Sequence, residues 1–261
     1  MIKIATWNIN SVRLRMPLVL KLLAQEVPDI LCLQECKSLV EDIPTAELRN
    51  LGYEYIVARG QKSYNGVAII SKIPILDIGS CDFANLGQAR HVAAKLENGI
   101  TIHNHYVPAG GDIPDRNTNE KFGQKLDYLN DLKDMFRRFK PKKSILVGDL
   151  NIAPYENDVW SHKQLLKVVS HTPIEVKTLL EVKEAGDWID AVRKLIPEEK
   201  LYSWWSYRAK DWFTSDRGRR LDHVWVTKDI ESFITQCYIL KESRGWERPS
   251  DHVPVFTVFD I

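Results

Sequence analysis

The sequence predicts an α/β fold built on mixed β-sheets. Three observations carry that expectation. About ten short apolar or alternating runs have the length and residue types of strands. Stretches with apolar residues at helical spacing lie between them. An Asn98-Gly99 pair joins two of the runs as a tight hairpin, so antiparallel pairing must accompany the parallel pairing that helical crossovers create.

Residues 2–9 alternate as a strand does, with Ile2, Ile4 and Thr6 on one side and Lys3, Ala5 and Trp7 on the other. Pro17 is expected to open a helix whose apolar face holds Leu18, Val19, Leu22 and Leu23, and Pro28 to close it. Residues 29–34 (DILCLQ) read as a buried strand, and 53–58, 66–70, 91–96 and 100–107 as further strands. Between 119 and 139, Phe122, Leu126, Leu129, Leu132, Phe136 and Phe139 recur at helical spacing. A short buried strand is expected at 144–147 and interrupted helix over 158–196. Three strands near 221–227, 233–240 and 254–259 end the chain.

The 261 residues carry 36 Lys and Arg against 35 Asp and Glu, a formal charge of +1. With 44% hydrophobic and 27% charged residues, the composition excludes disordered, collagen-like and fibrous classes. No linker-like or repeated stretch divides the chain, so residues 1–261 are expected to form a single domain. Nothing approaches the roughly 18 consecutive apolar residues of a membrane span, and Met1-Ile2-Lys3-Ile4 opens no signal peptide. A cytoplasmic protein with no membrane partner is expected. Cys32, Cys36, Cys81 and Cys237 are too few for a disulfide framework, and the C-x3-C spacing of the first two reads as buried free thiols rather than zinc ligands.

Polar residues break the apolar runs where strands end. Trp7-Asn8-Ile9-Asn10, Gln34-Glu35 and Gly148-Asp149-Leu150-Asn151 each follow a strand, and Ser250-Asp251-His252 precedes the last one. Strand ends are where separate segments of an α/β protein converge on one cleft. Asp149 and Asn151, two apart, face the same side if the chain stays extended, and Gly148 lets the backbone turn or approach a ligand. Glu35, Asp149 and Asp251 are hard oxygen donors suited to Mg2+ or Mn2+. Asn8, Asn151, His252 and the Tyr106 hydroxyl can hold phosphate oxygens as charge develops on them. Asp222 can orient an imidazole through a hydrogen bond. Without a nucleophilic Ser or Cys motif, this set reads as metal-assisted phosphodiester hydrolysis by water. Singly, each has a plainer reading as a turn, cap or rim residue. His103, His105, His162 and His171 read as surface or satisfied histidines, and His91 and His223 likewise.

Residues 200–220 combine Lys200, Arg208, Lys210, Arg217, Arg219 and Arg220 with only Asp211 and Asp216 against them. Tyr202, Trp204, Trp205, Tyr207, Trp212 and Phe213 lie in the same window. Basic and aromatic residues together grip phosphates and stack on bases, so this segment is expected to contact DNA. Trp204 and Leu221 are expected as walls of a pocket for a flipped sugar, and Tyr207-Arg208 as a minor-groove wedge. The basic excess of 116–143 reads as a solvated helix face.

Five motifs resemble the exonuclease III family, in its order and spacing: Trp7-Asn8-Ile9-Asn10, Pro28 to Glu35 (PDILCLQE), Gly66 to Lys72 (GVAIISK), Gly148 to Ile152 (GDLNI) and Pro249 to Val255 (PSDHVPV). Leu201 to Arg208 (LYSWWSYR) joins them, and the match spans residues 2 to 259. The resemblance implies a four-layered α/β sandwich, two mixed sheets face to face with helices outside. It implies Mg2+-dependent cleavage of double-stranded DNA 5′ to abasic sites, and 3′→5′ exonuclease or 3′-end-cleaning activity, by a monomer; Mn2+ is expected to substitute. Glu35 looks like the principal metal ligand with Asp251 near it, and Asn8, Asp149, Asn151 and His252 complete the metal and phosphate shell. Asp149 would activate or align water, Tyr106, Asn151 and His252 would stabilise the phosphorane, and Asp222 would hold His252. The family leaves open one metal or two, and Asp149 or the Asp222–His252 pair as base.

Ser11 stands where the family has glycine, Ala109-Gly110-Gly111-Asp112 where mammalian relatives place a basic wedge, and Arg219 where an aromatic or apolar pocket residue is usual. Two other readings are a superfamily phosphodiesterase for a non-DNA phosphoester and a catalytically dead DNA-binding protein. The Trp-rich segment argues against the first, and the presence of Glu35, Asp149 and His252 against the second.

Overall fold

Alternation along the first strand sends Ile4 into one apolar core and Ala5 and Trp7 into another. That division sets the layering of the molecule. The computed structural model describes residues Met1–Ile261. Its strands are β1 (Ile2–Asn8), β2 (Ile30–Gln34), β3 (Tyr55–Arg59), β4 (Val67–Ser71), β5 (Ile75–Gly79), β6 (His91–Leu96), β7 (Thr101–Tyr106), β8 (Ser144–Asp149), β9 (Ile189–Asp190), β10 (Asp222–Val226), β11 (Ile234–Ile239) and β12 (Val255–Phe259). The α-helices are α1 (Val12–Glu26), α2 (Thr45–Arg49), α3 (Glu120–Arg138), α4 (His162–Leu165), α5 (Pro173–Ala185), α6 (Ala191–Leu195) and α7 (Trp212–Ser215).

The strands form two six-stranded sheets, ordered β11-β12-β1-β2-β4-β3 and β5-β6-β7-β8-β10-β9. Ile4, Ile30, Cys32, Val67 and Ile69 of the first sheet meet Val92, Ile102, Ile145, Val147 and Val224 of the second in a central core. Trp7, Leu31, Leu33 and Ile70 face outward onto Met16, Val19 and Leu22 of α1 and Leu48 of α2. Leu146 and Trp225 face outward onto Tyr128, Leu129, Leu132 and Phe136 of α3 and Leu179 and Val182 of α5. This is a four-layered α/β sandwich with mixed sheets. No helix is long and apolar enough to cross a membrane. All four cysteines are free, and Cys32, Cys36 and Cys237 are buried.

Twelve strands form where about ten are legible. β5 is an edge strand with Leu76, Asp77 and Ile78 exposed, and Pro74 and Asp77 interrupt its apolar residues, while β9 is two residues long. Helix α1 begins at Val12 rather than Pro17: Ser11 Oγ accepts a hydrogen bond from Leu14 N (3.4 Å) and caps it. The proline is accommodated inside the helix, where Arg15 departs to φ −113°, ψ 17°.

Sheet pairing also fixes where the chemistry collects. β1 and β2 run parallel, as do β7 and β8, so Asn8, Gln34, Tyr106 and Asp149 all end at one edge of the sandwich. β10 is antiparallel to β8 and starts there, with Asp222 opposite Asp149. β12 is antiparallel to β1 and brings the segment before Val255 to the same edge.

Gly148 serves this pairing rather than a ligand. Its φ is +138°, and a Cβ added there would stand 1.9 Å from the carbonyl oxygen of His105 on β7. Gly148→Ala must therefore push β8 off β7 just before Asp149. The expected cost is at least the upper end of about 1–3 kcal/mol, and a thermal denaturation midpoint equal to the parent's would contradict it.

Candidate active site

Asn8, at the end of β1, donates from Nδ2 to both Glu35 Oε1 and Asp149 Oδ2, each at 2.9 Å. One amide thus ties the two sheets together at their shared edge. Tyr106 adds a 2.7 Å hydrogen bond from its hydroxyl to Glu35 Oε1. Asp149 Oδ1 accepts from Asn151 N (2.9 Å) and Oδ2 from Asn151 Nδ2 (3.1 Å). The pair converges because Asn151 turns to φ +54°, not because the chain stays extended. Glu35 is also in the left-handed region, at φ +50°. A non-glycine residue there is strained, a feature typical of functional segments.

His252 lies between two carboxylates. Its Nδ1 is 2.8 Å from Asp222 Oδ2, and its Nε2 is 3.6 Å from Asp149 Oδ2. Trp7 Nε1 donates to the His252 carbonyl (3.0 Å) and Ser250 Oγ to the Asn8 carbonyl (2.7 Å), so the segment before β12 is pinned to β1. Asp251 accepts from Asn10 Nδ2 (3.1 Å) and Trp204 Nε1 (3.0 Å).

Burial and neighbouring charges pull these groups apart electrostatically. Burial alone would lower the His252 imidazole, but Asp222 and Asp149 overcome it and raise it well above its ordinary value. Burial pushes the Asp149 carboxyl up, with Asp222 and Glu35 adding to the rise and His252 and Asn8 opposing it. At neutral pH the proton between this pair rests on His252, which Asp222 holds at hydrogen-bond distance. Burial would raise Glu35 too, yet Lys37, Asn8 and Tyr106 hold it below the usual carboxylate range. Burial and the charges of Glu35 and Asp149 keep the Tyr106 hydroxyl protonated. The result is a cluster of anionic acceptors edged by neutral and cationic donors, as phosphate chemistry requires.

Two cavities open on this cluster and share Glu35. One, about 480 Å³, is lined by Lys37, Tyr64, Arg90, Tyr106 and Lys121 among others. The other, about 520 Å³, is lined by Trp204, Arg208, Arg219, Leu221, Asp251 and His252 among others. Trp204, Arg208 and Leu221 thus line one cavity with the acidic cluster. Tyr207 does not line it. Its ring is half exposed, and its hydroxyl donates to Pro249 O and accepts from Arg15, each at 2.9 Å. The basic-aromatic window is less exposed than its composition implies. Tyr202 and Trp205 are core residues, and Arg220 is fully buried between Asp158 and Asp190. Likewise, Lys125 of the helix read as solvated is fully buried against Glu175 at 2.5 Å.

Three residues at the site escape the sequence reading. Lys37 Nζ is 2.8 Å from Glu35 Oε2, and it also donates to Asn10 Oδ1 at 2.6 Å. Asn10 in turn reaches Asp251, and Arg90 lies over the Tyr106 ring at 4.7 Å. Asn10 had a signal, since it stands beside Asn8 in a motif, but an Asx-turn explains that position equally well. Lys37 and Arg90 had none. Of the histidines set aside, His162 bonds His171, and His91 accepts from Cys81 N through Nδ1. His105 and His223 are fully buried, each with one ring nitrogen lacking a partner.

The endonuclease/exonuclease/phosphatase family model matches residues 5–252. Exodeoxyribonuclease III of Haemophilus influenzae is 30% identical, covering 98% of this chain and 99% of that one. An AP endonuclease from Archaeoglobus fulgidus superposes with a TM-score of 0.93 at 33% identity, with both chains fully covered. The 3′ phosphatase NExo from Neisseria, solved with a product DNA hairpin, gives 0.91 at 33% identity over the same extent. Fold, residues and relatives agree: the chain is a phosphodiester hydrolase that belongs to the exonuclease III family within the endonuclease/exonuclease/phosphatase family.

Proposed function

We propose that the whole chain acts as one Mg2+-dependent DNA-repair nuclease, cutting 5′ to abasic sites and clearing nucleotides or blocking groups from 3′ ends. The observation that carries this reading is the hydrogen-bonded cluster of Asn8, Glu35, Tyr106 and Asp149, with the Asp222–His252 pair 3.6 Å from Asp149, beside a cavity walled by Trp204 and Leu221.

The donors fit a hard divalent cation. Glu35 and Asp251 line one cavity, and Lys37 and Asn10, the groups now bonded to their oxygens, are donors that a cation replaces. Glu35 and Asp251 would hold Mg2+, with a carboxylate oxygen of Asp149 in the same cluster. Asn8, expected from sequence as a further ligand, turns its Nδ2 to Glu35 and Asp149 while its side-chain oxygen accepts from Asn10 N, so it would steady those carboxylates. When bound, the ion polarises the phosphate and offsets its developing charge. The protein supplies the rest. Asp149, held by Asn8 and Asn151, aligns water and takes its proton. His252, kept protonated by Asp222, donates to a phosphate oxygen, which places it with the phosphate rather than the metal. Tyr106, now donating to Glu35, and Asn151 Nδ2, now donating to Val107 O and Asp149, would turn a hydrogen to the same charge. Water attacks phosphorus opposite the 3′ oxygen as the bond to that oxygen breaks; the leaving oxygen takes a proton from solvent, to which Asp149 returns the one it took. Trp204 and Leu221 receive the sugar beyond the scissile bond, and Arg208 meets the backbone.

The test is a cleavage assay with Mg2+ against EDTA, on duplex carrying one abasic-site analogue and on duplex with an intact recessed 3′ end. A single metal-dependent cut 5′ to the lesion is expected, with shortening from the 3′ end. Cleavage of neither DNA with Mg2+ or Mn2+ overturns the reading. Glu35→Ala is expected to raise the Mg2+ concentration for half-maximal rate by about tenfold or more, and an unchanged metal titration would count against Glu35 as a ligand.

A further inference from the structure

The outward face of the second sheet carries three imidazoles in contact. His91 on β6 pairs with His105 on β7 across the antiparallel ladder, and His103 lies two residues before His105 on the same face. Tyr106, next in the chain after His105, points to the opposite face, into the central core and toward Glu35. One strand thus serves the acidic cluster on one side and the imidazoles on the other.

A stack of satisfied rings does not account for this cluster. His105 is fully buried, and its Nε2 has no partner. Tyr128 Oη, 3.0 Å from Nδ1, can accept the ring's proton, which leaves Nε2 as a bare, buried lone pair. Such a group costs free energy unless something binds it. His91 Nε2 is 3.3 Å from His103 Nδ1, and one ring nitrogen from each of the three histidines lies within 4.8 Å of the others. Burial holds all three imidazoles below the ordinary histidine value, and none of the charges acting on them is a carboxylate. Arg59, the cation whose field reaches His91, is itself paired with Asp77. At neutral pH the rings are therefore neutral, the form in which histidine ligates metal.

We propose that His91, His103 and His105 form a binding site for one zinc ion, separate from the acidic cluster. Three imidazoles and a water are a zinc ligand set, and imidazole nitrogen suits Zn2+ where Mg2+ demands oxygen. Zn–N bonds of about 2.0–2.1 Å place tetrahedral neighbours about 3.4 Å apart, a spacing that His91 and His103 already have. His91 and His105 stack with ring centroids 4.4 Å apart at 27°, so these rings turn out of the stack to close on the ion. His91 Nδ1 accepts from Cys81 N, which keeps its proton on Nε2. On ligation that proton moves to Nδ1, and the amide of Cys81, an exposed residue outside any strand, turns to water. The Tyr128 hydroxyl on His105 Nδ1 is the outer contact that orients a ligating histidine. Zinc bound there joins β6 to β7 directly behind Tyr106.

The probe is Zn2+ itself, titrated into the full chain against a chromophoric chelator with Mg2+ in large excess. One zinc per chain is expected. His103→Val, at a part-buried strand position that suits a β-branched residue, is expected to weaken zinc binding by more than about tenfold. His105→Phe, which keeps a ring against Phe83, is expected to do the same. Asp149→Asn alters the other group that could hold a metal, Asp149 with Asp222 and His252, and is expected to leave this zinc in place. Zinc should also raise the thermal midpoint of the parent and of Asp149→Asn but not of the two histidine variants, whose midpoints without zinc show that they are folded. No zinc uptake by the parent overturns the inference. So does uptake that is unchanged in both histidine variants, or lost in Asp149→Asn alone, which assigns the ion to the acidic cluster.

Discussion

Replacing Asp149 by asparagine is expected to slow phosphodiester hydrolysis by roughly 10²–10⁴-fold while duplex DNA binds at least as tightly as to the parent. The first half follows from what Asp149 accepts. Its two oxygens take hydrogen bonds from Asn8 Nδ2, Asn151 N and Asn151 Nδ2, and one of them faces His252 at 3.6 Å. That last gap exceeds a hydrogen bond, so a reacting oxygen set beside the pair can reach both groups. An amide of the same volume sets its NH2 against one of those donors and has no basicity to take a proton from water. The second half follows from charge. Removing one buried negative group lessens the repulsion a phosphate meets on entering the cluster. Rates under saturating enzyme, beside affinity measured in EDTA, separate the two effects. Mg2+-dependent cleavage at more than about a tenth of the parent rate would remove Asp149 from the chemistry.

Much of this cluster is legible in the sequence because strand ends are conspicuous. A polar residue after a fully apolar run, as at Gln34-Glu35 or Gly148-Asp149, departs from the burial pattern for a reason the sequence can register. Antiparallel return of β10 and β12 to the same edge makes Asp222 and His252 neighbours of Asp149, and only their order along the chain hints at it. What stays illegible is the fate of single cations. Lys37, Arg90, Lys125 and Arg220 look alike in composition, and solvation is the default for each. Their partners lie 2, 16, 50 and 62 positions away: Glu35, Tyr106, Glu175 and Asp158. Three of these partners lie beyond any local pattern, and Glu35 meets Lys37 across a stretch where both residues turn left-handed. Gly148 is the reverse case, where a correct signal has a different cause: the close approach is to His105 of the neighbouring strand.

Lys125→Met is expected to cost about 3–5 kcal/mol of stability and to lower turnover in the fraction that folds. Lys125 sits in α3 with no exposed surface and donates to Glu175 Oε1 (2.5 Å), Asn151 O (2.8 Å) and Ala109 O (3.3 Å). Burial lowers its pKa, against the pull of Glu175. Methionine matches the stem but strands Glu175 as a buried, unpaired carboxylate. Glu175 cannot simply turn away, because it accepts from Ser170 N and Thr172 N and caps α5. Pairing Lys125→Met with Glu175→Gln removes the stranded charge while keeping an oxygen for those two amides, so most of the lost stability should return. Turnover should not return with it. The Asn151 and Ala109 carbonyls still lack their donor, and Asn151 is held at φ +54° beside Asp149 partly through that bond. Thermal denaturation and single-turnover rates on the two variants distinguish these effects. Full recovery of both would make the pair purely structural. Recovery of stability alone would mean that a buried ammonium on α3 sets, through the Asn151 carbonyl, the geometry of the amide that bonds Asp149.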